Sequence, residues 1–285
     1  MSKLRPGRID SFDQFVDQKK ATRDFNISIV DLIPEAKIML KKFDIYGAEE
    51  YNKLQTMNIT YKDKLLGYCA CCILGEAAAL KRLIKMASAL YQPDEKLRKQ
   101  SECLLNILAL AKYPLKATDR YSAEYYMLLA DLHLGVFGKW KHMSYDRAKG
   151  FLCFVCANYP QCSDIAEAKL CCCKILSSTA QFPCGSSDLR KLDEFAQRYE
   201  FCALTALVFC LSPELPDKKE RKAYRKRALT YLSLLKDSDL VCFIELLNYI
   251  SEKELLGDVN QKRKKAVRKF SANRLSDTNW YGLMD

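Results

Sequence analysis

Glycine, proline and histidine are scarce in this chain. The first two shortages bear on the fold, and the third bears on catalysis. The 285 residues include ten glycines, eight prolines and two histidines. Few turn-forming residues, together with the rarity of strict apolar–polar alternation, argue against an all-β fold. The two histidines, His133 and His142, have no serine, cysteine or carboxylate at a recognisable catalytic spacing. A satisfied or solvated role is therefore favoured for both over general base catalysis.

Motifs of the common enzyme classes are missing as well. Phosphate-binding glycine loops, HExxH, kinase motifs and paired catalytic carboxylates do not occur in the sequence. Catalytic groups can also be scattered along a chain without leaving a motif, so a secreted bacterial effector with an unrecognised activity stays open as an alternative. We predict a non-enzymatic protein that needs no cofactor.

No apolar run is long enough for a membrane span. The best candidate, residues 65–80, is short and contains Gly75 and Glu76. Asp10 and Asp13 stand where a secretory signal would be apolar. These features predict a soluble, cytoplasmic protein.

Apolar residues instead recur at spacings of three and four along most of the chain, which is typical of helices. Residues 65–74 are apolar on all sides, so we expect them at the centre of the core. We predict an all-α fold of antiparallel helix pairs, arranged in a repeat-like or an irregular bundle.

Local signals predict where several helices begin and end. Asp31 can cap a helix that Gly47 ends, and a further helix covers residues 48–57. Gly75 marks a turn before the next helix. A long helix is expected from about residue 187 to residue 211, followed by a partner helix over 218–235.

The segment 119–176 predicts three helices with two breaks. Its first helix places Ala123, Tyr126 and Ala130 on one face, and Pro160 ends the second helix. Gly150 lies inside the second helix, where we expect a close helix–helix approach. Ser163 and Asp164 can cap the third helix.

Small and apolar residues of this segment occupy positions typical of helical repeats. They are Leu129, Gly135, Gly138, Asp146, Ala148, Ala166 and Ala168. With these residues the segment resembles a tetratricopeptide or Sel1-like repeat over about a fifth of the chain. The resemblance implies a protein-binding helical array, with a groove lined by the helices of 119–176.

Composition divides the chain into four segments. They are a polar, partly ordered lead-in over 1–30, a helical core over 31–182, a C-terminal helical part over 187–270 and a tail over 271–285. Pro183 and Gly185 mark the break between the two helical parts. The aromatic residues at 280–284 could dock on another chain or on this one.

Cysteine is abundant, with fourteen residues. Most lie in helical stripes where small core residues are expected, so we predict buried, reduced thiols rather than disulfides. This holds for the cluster at 69–72 and the triplet at 171–173. Cys153 and Cys156 share a helix face and are weak candidates for a zinc site. The sequence lacks the second cysteine pair or histidine pair of a structural zinc site, so buried packing is favoured and no metal is expected.

Positive charge is concentrated in two basic patches of the C-terminal third. The formal net charge is +11, while residues 217–227 contribute +5 and residues 262–274 contribute +7. The first patch consists of Lys218, Lys219, Arg221, Lys222, Arg225, Lys226 and Arg227. The second consists of Lys262, Arg263, Lys264, Lys265, Arg268 and Lys269. Such patches can bind an acidic protein, nucleic acid phosphates or anionic lipid, or form a solvated helix face.

These observations together predict a protein-interaction scaffold or adaptor with one or more protein partners. By analogy with similar bacterial chains, it would be an accessory subunit of a secretion or signalling assembly. The alternative is an electrostatic binder of nucleic acid or anionic lipid. Few aromatic residues interleave with the basic ones, which argues against sequence-specific nucleic acid readout.

Overall fold

A computed structural model of the chain describes residues 27–87, 94–114, 120–134, 144–177 and 186–199, together with six positions further on. These six are Cys202, Ala203, Ala206, Thr230, Tyr231 and Leu234. The fold is all-α, as predicted, and the described ranges contain nine α-helices and three 3₁₀-helices. Predictions for residues 1–26, for the loop that carries His142, and for the tail lie outside the described residues.

The α-helices are numbered here in chain order. They are α1 (Ile33–Lys41), α2 (Lys53–Thr56), α3 (Tyr61–Ile73), α4 (Ala77–Ala87), α5 (Glu95–Leu110), α6 (Ala123–Leu134), α7 (Tyr145–Asn158), α8 (Ser163–Ser177) and α9 (Ser186–Ala196). The 3₁₀-helices are Ile29–Leu32, Ala48–Asn52 and Pro160–Cys162. The chain forms two compact units that meet in sequence at Leu129 and Ala130. The division into four segments stays a prediction, because much of its C-terminal part lies outside the described residues.

Helix α3 is the centre of the first unit. All residues from 65 to 73 are buried, which confirms the prediction for this apolar run. The helix packs against α1, α4 and α5. Gly67 permits close packing inside this core, since a Cβ built there would lie 2.7 Å from a side-chain methyl of Leu54. Helix α3 is therefore apolar on every side because it has neighbours on every side.

Side-chain caps define where α3 and α5 begin. Thr60 Oγ1 accepts a hydrogen bond from the backbone N–H of Asp63 at 3.1 Å. Asp94 Oδ1 accepts from the N–H groups of Lys96 and Leu97 at 2.9 and 3.2 Å. Each cap satisfies amide donors that have no partner within the helix.

Gly75 forms the predicted turn after α3. Its φ is +102°, a backbone angle that residues with a Cβ rarely adopt. A Cβ at this position would also lie 2.0 Å from the carbonyl oxygen of Arg120. Conformation and packing therefore both require glycine here.

Four tyrosines form an aromatic cluster in the first unit. They are Tyr113, Tyr121, Tyr125 and Tyr126, with ring centroids 5.1 to 6.3 Å apart. The hydroxyl of Tyr121 donates to the carbonyl of Ile73 at 2.8 Å, and the hydroxyl of Tyr113 donates to the carbonyl of Leu108 at 2.9 Å. Burial raises the pKa of Tyr113, Tyr121 and Tyr125, so these hydroxyls stay neutral donors.

The second unit is built on a helix hairpin of α7 and α8. Ser144 caps α7, and Pro160 ends it as predicted, with one 3₁₀ turn before α8. Ala148, Leu152 and Val155 face the core, as their spacing predicts. The expected close approach at Gly150 was wrong, because a Cβ built there would meet no atom within 4 Å.

Several predicted helix boundaries were also wrong. Asp31 lies in a 3₁₀-helix rather than at the cap of α1, and α1 ends at Lys41, six residues before Gly47. The predicted helix over 48–57 is a 3₁₀-helix followed by the short α2. The long helix expected from residue 187 to residue 211 breaks after Ala196.

Candidate functional site

The structure leaves the two basic patches of the sequence undescribed. Residues 217–227 and 262–274 lie outside the described part of the chain. The predicted partner helix at 218–235 is described only at Thr230, Tyr231 and Leu234. Tyr231 is buried, as expected for an inward position, and its hydroxyl donates to the carboxylate of Asp193. The binding role of the patches therefore stays a prediction from charge.

Helix α6 is buried along almost its whole length. Every residue from 125 to 134 is buried, although the sequence predicts one apolar face. The residues predicted to share one face, among them Ala123, Tyr126 and Ala130, are buried, and neighbours cover the polar residues Asp131 and His133 too. The exposed α-helical residues of the segment 119–176 lie instead on α7 and α8.

A buried ion pair joins α6 to α8. Lys169 Nζ lies 2.5 Å from Asp131 Oδ1, and the two side chains are 5% and 3% exposed. Burial raises the pKa of Asp131, and the positive charge of Lys169 opposes that rise. Removing two charges from water costs about as much as their mutual attraction returns, so the intact pair adds little net stability, whereas loss of one partner leaves a buried charge uncompensated.

His133 packs in the same core. Its ring lies 6.2 Å from the ring of Phe151 on α7, at an interplanar angle of 25°. It has no exposed surface, so a solvated side chain is ruled out and His133 is a packed core residue. The described structure thus connects α6 to α7 through an aromatic contact and to α8 through an ion pair.

A polar cluster on the surface holds α9 against the start of α8. The guanidinium of Arg198 binds both carboxylate oxygens of Asp164, at 3.0 and 2.8 Å. The hydroxyl of Tyr199 donates to Asp164 at 2.5 Å. Arg198 also lies over the rings of Phe195 and Tyr199, 5.2 and 5.6 Å from their centroids. The Tyr199 hydrogen bond and the Arg198 charge lower the pKa of Asp164.

The candidate zinc ligands, Cys153 and Cys156, lie on the outer side of α7. Cys153 is exposed, and Cys156 is half-buried with its thiol directed at the carbonyl of Ser163, 4.0 Å away. The pKa of Cys156 is raised, chiefly by burial. Across the described ranges no group of three or more histidine, cysteine or acidic residues could hold a metal ion. The favoured interpretation of Cys153 as buried packing was wrong, because α7 turns that side chain to solvent.

The other cysteine groups lie inside the protein. Cys69, Cys71 and Cys72 are buried in the first unit, and the triplet 171–173 is buried in the second, as predicted. Burial raises the pKa of Cys71 to about 12 and that of Cys173 to about 11. These thiols are therefore protonated at neutral pH and react slowly as nucleophiles.

The outer face of the hairpin carries mixed charge. On α7 the exposed residues Asp146, Lys149, Cys153 and Ala157 follow one another at spacings of three and four. On α8 the exposed residues include Asp164, Glu167 and Lys174. These exposed residues can form hydrogen bonds and ion pairs with a partner. None of them has a large apolar side chain.

Other described surfaces carry little recognisable chemistry. An open depression of about 530 Å³ lies at the start of α5, lined by Asp94, Glu95, Lys96, Lys99 and Gln100. Within the described ranges, no helix has the length and apolar character needed to cross a membrane.

The described fold defines a class, the all-α proteins built from packed helix hairpins. No family model, curated protein or solved structure matches this chain. The resemblance of 119–176 to tetratricopeptide and Sel1-like repeats therefore stays a prediction.

Sequence reasoning missed Asp131, Lys169 and Arg198. A signal existed for the first two, because each is a charged residue inside a run of apolar positions on a predicted helix. A charged side chain at a buried position of a helix needs a partner of opposite charge, because burial of an unpaired charge is costly. Arg198 gave no such signal, since it lies in a polar stretch after α9.

Proposed function

We propose that this protein is a non-enzymatic scaffold or adaptor that binds other proteins, as an accessory subunit of a larger bacterial secretion or signalling assembly. The observation that carries the proposal is the hairpin of α7 and α8, held to α6 by the buried ion pair of Asp131 and Lys169. A hairpin fixed in this way presents its outer residues in a defined geometry. A pre-ordered surface binds a partner without the entropy cost of ordering it.

Electrostatics supports an acidic partner. The two basic patches carry +12 in the sequence, and the remainder of the chain carries about −1. Complementary charge accelerates encounter and selects partners more than it adds affinity. We therefore propose that the hairpin contributes shape and that the patches attract the partner, in the cytoplasm.

The proposal is tested by affinity purification of the tagged full chain from its native cell. Samples are treated with nuclease and washed at low or high salt, and co-eluting proteins are identified by mass spectrometry. A stoichiometric protein that survives both treatments supports the adaptor. Recovery of no partner protein at low salt overturns it and makes an unrecognised enzymatic activity the next hypothesis.

A charge-reversal variant tests the role of the second patch. Lys264, Lys265, Arg268 and Lys269 are replaced by glutamate, and we expect the partner to be lost or weakened at least tenfold while the helical circular dichroism spectrum is kept.

The matched control makes the same change in charge elsewhere. It replaces Lys37, Lys41, Lys42 and Lys112, which are all exposed, by glutamate. An unchanged partner set in the patch variant would contradict the proposed role of the patch. Equal loss in both variants would mean that net charge, and not this patch, governs binding.

The second candidate function is electrostatic binding of nucleic acid or anionic lipid through the same patches. Its support is the sequence around Val267 and Phe270, in which basic residues flank these two apolar positions. Binding of this kind falls steeply with salt. Loss of all co-eluting material at high salt or after nuclease would favour this function over the adaptor.

A further inference from the structure

We propose that Cys172 and Cys202 form a redox site, in which a peroxide converts two adjacent buried thiols into a disulfide. Cys172 lies on α8, and Cys202 lies on the segment that follows α9. The cross-link would join these two parts of the second unit. It goes beyond the proposed adaptor function and does not depend on it.

The geometry brings the two sulfur atoms into contact. Cys172 Sγ and Cys202 Sγ are 3.5 Å apart, and both residues are buried. A disulfide bond is about 2.05 Å long, so the sulfurs must approach by about 1.5 Å. Formation of the bond would require a rotation of one side chain combined with a small backbone shift.

Neighbouring contacts hold the two segments in register. The backbone N–H of Cys202 donates to the carbonyl of Tyr199 at 3.0 Å. Tyr199 in turn donates to Asp164 on α8, and Arg198 binds the same carboxylate. Cys202 Sγ also lies 3.8 Å from the carbonyl of Ala168, one helical turn before Cys172. These contacts fix the segment that carries Cys202 against α8, so the two thiols are held close together.

The cysteine triplet on α8 provides selectivity. Consecutive helix positions point about 100° apart, so one member at a time can face Cys202. Cys173 Sγ instead donates to the carbonyl of Tyr145 on α7, at 3.2 Å. Cys172 is thus the member placed to react with Cys202.

The reaction is balanced with hydrogen peroxide as the oxidant. A thiolate of the pair attacks one peroxide oxygen, the O–O bond breaks, and the leaving hydroxide takes up a proton to become water. The resulting sulfenic acid is attacked by the second thiol, which loses its proton as the S–S bond forms and a second water leaves. Two sulfur atoms lose two electrons in total, and the two peroxide oxygens gain them.

Burial slows the oxidation of this pair but does not prevent it. Desolvation and the neighbouring Cys172 raise the pKa of Cys202, so little of its thiolate forms at neutral pH and the reaction is slow. The exposed Cys153 should react first with peroxide. Cross-linking should accelerate as the pH rises and more thiolate forms.

The test treats the full chain with hydrogen peroxide, blocks the remaining thiols with N-ethylmaleimide, and maps cross-linked peptides by mass spectrometry. We expect a Cys172–Cys202 peptide that dithiothreitol removes. The oxidised chain should melt on the order of 5–10 °C higher than the reduced chain, because the bond closes a loop of about 30 residues in the unfolded state.

Serine variants within the triplet are the matched controls. C172S and C202S should lose both the peptide and the rise in melting temperature, whereas C171S and C173S should keep them. Mapping of the wild-type chain needs no variant, so a folding defect in one of them does not decide the result. Linkage of Cys202 to Cys171 or Cys173, or complete oxidation of Cys153 without any linkage at Cys202, would overturn the proposal.

Discussion

The two compact units bury polar groups in different ways. The first unit buries neutral tyrosine hydroxyls that are hydrogen-bonded to a backbone carbonyl, as Tyr121 is to Ile73, or to one another, as Tyr125 is to Tyr113. The second unit buries two full charges, Asp131 and Lys169, in a single ion pair. A neutral hydroxyl loses less solvation free energy on burial than a charge does, and one hydrogen bond compensates most of that loss. Removal of one partner from a buried polar contact should therefore lower the free energy of unfolding by different amounts in the two units.

The ion pair should show the largest effect. Lys169→Met leaves the carboxylate of Asp131 buried without its cation, and we expect a loss of about 3–5 kcal/mol in the free energy of unfolding. The double variant Asp131→Leu with Lys169→Met removes both charges and should recover most of that loss. Urea unfolding followed by circular dichroism measures both.

The control for this experiment is Lys149→Met, an exposed lysine on α7 of the same unit. It should change the free energy of unfolding by less than about 0.5 kcal/mol. A single variant as stable as the wild type would show that the ion pair is not buried as described. A double variant as unstable as the single variant would mean that the pair contributes net stability.

The tyrosine cluster should show an intermediate effect. Tyr121→Phe keeps the ring packing and removes the hydrogen bond to Ile73, which leaves a buried carbonyl with one partner fewer. We expect a loss of about 1–2 kcal/mol in the free energy of unfolding. Tyr46 is 78% exposed, so Tyr46→Phe is the control and should be neutral. A loss for Tyr121→Phe as large as that for Lys169→Met would remove the distinction between the units.

The exposed pair of Asp164 and Arg198 should show the smallest effect, since both side chains are 52% exposed. Asp164→Asn should cost at most about 1 kcal/mol at low salt and less at high salt. The control is Asp146→Asn, at an exposed position on α7.

The same pair predicts a pH dependence of stability. Because Tyr199 and Arg198 lower the pKa of Asp164 in the folded state, its contribution is present above the ordinary aspartate pKa. That contribution is lost as the pH falls through the lowered value. Unfolding of the wild type and the asparagine variant should therefore differ at pH 7 and converge in strong acid. A difference that persists in strong acid would assign the effect to something other than the carboxylate charge.

Sequence periodicity predicted the helices better than it predicted their ends. Residues 65–73 are buried on every side, as their composition implied, and Pro160 ends α7. The helix expected to continue beyond Ala196 breaks there, where the polar residues Gln197 and Arg198 follow. Helical spacing depends on neighbours three and four residues away, whereas the end of a helix also depends on what the next turn can pack against.

The candidate site was predictable only in part. The basic patches could be located from the sequence, because the net charge of each segment can be counted directly. The hairpin surface was expected from 119–176 as a whole, but α6 is covered and α7 and α8 supply the exposed residues. Gly150 illustrates the limit, since glycine in a helix permits a close approach without requiring one.

The sequence by itself determined the all-α class, the buried centre at 65–73, the burial of most cysteines among the described residues and the two concentrations of positive charge. Only the tertiary structure decided which distant residues meet. Asp131 and Lys169 are 38 positions apart, and Cys172 and Cys202 are 30 apart. Secondary structure follows from interactions within a few residues, which a sequence displays directly. Long-range pairs depend instead on how whole helices pack, and that packing minimises the exposed apolar surface and the unpaired polar groups of the unit together.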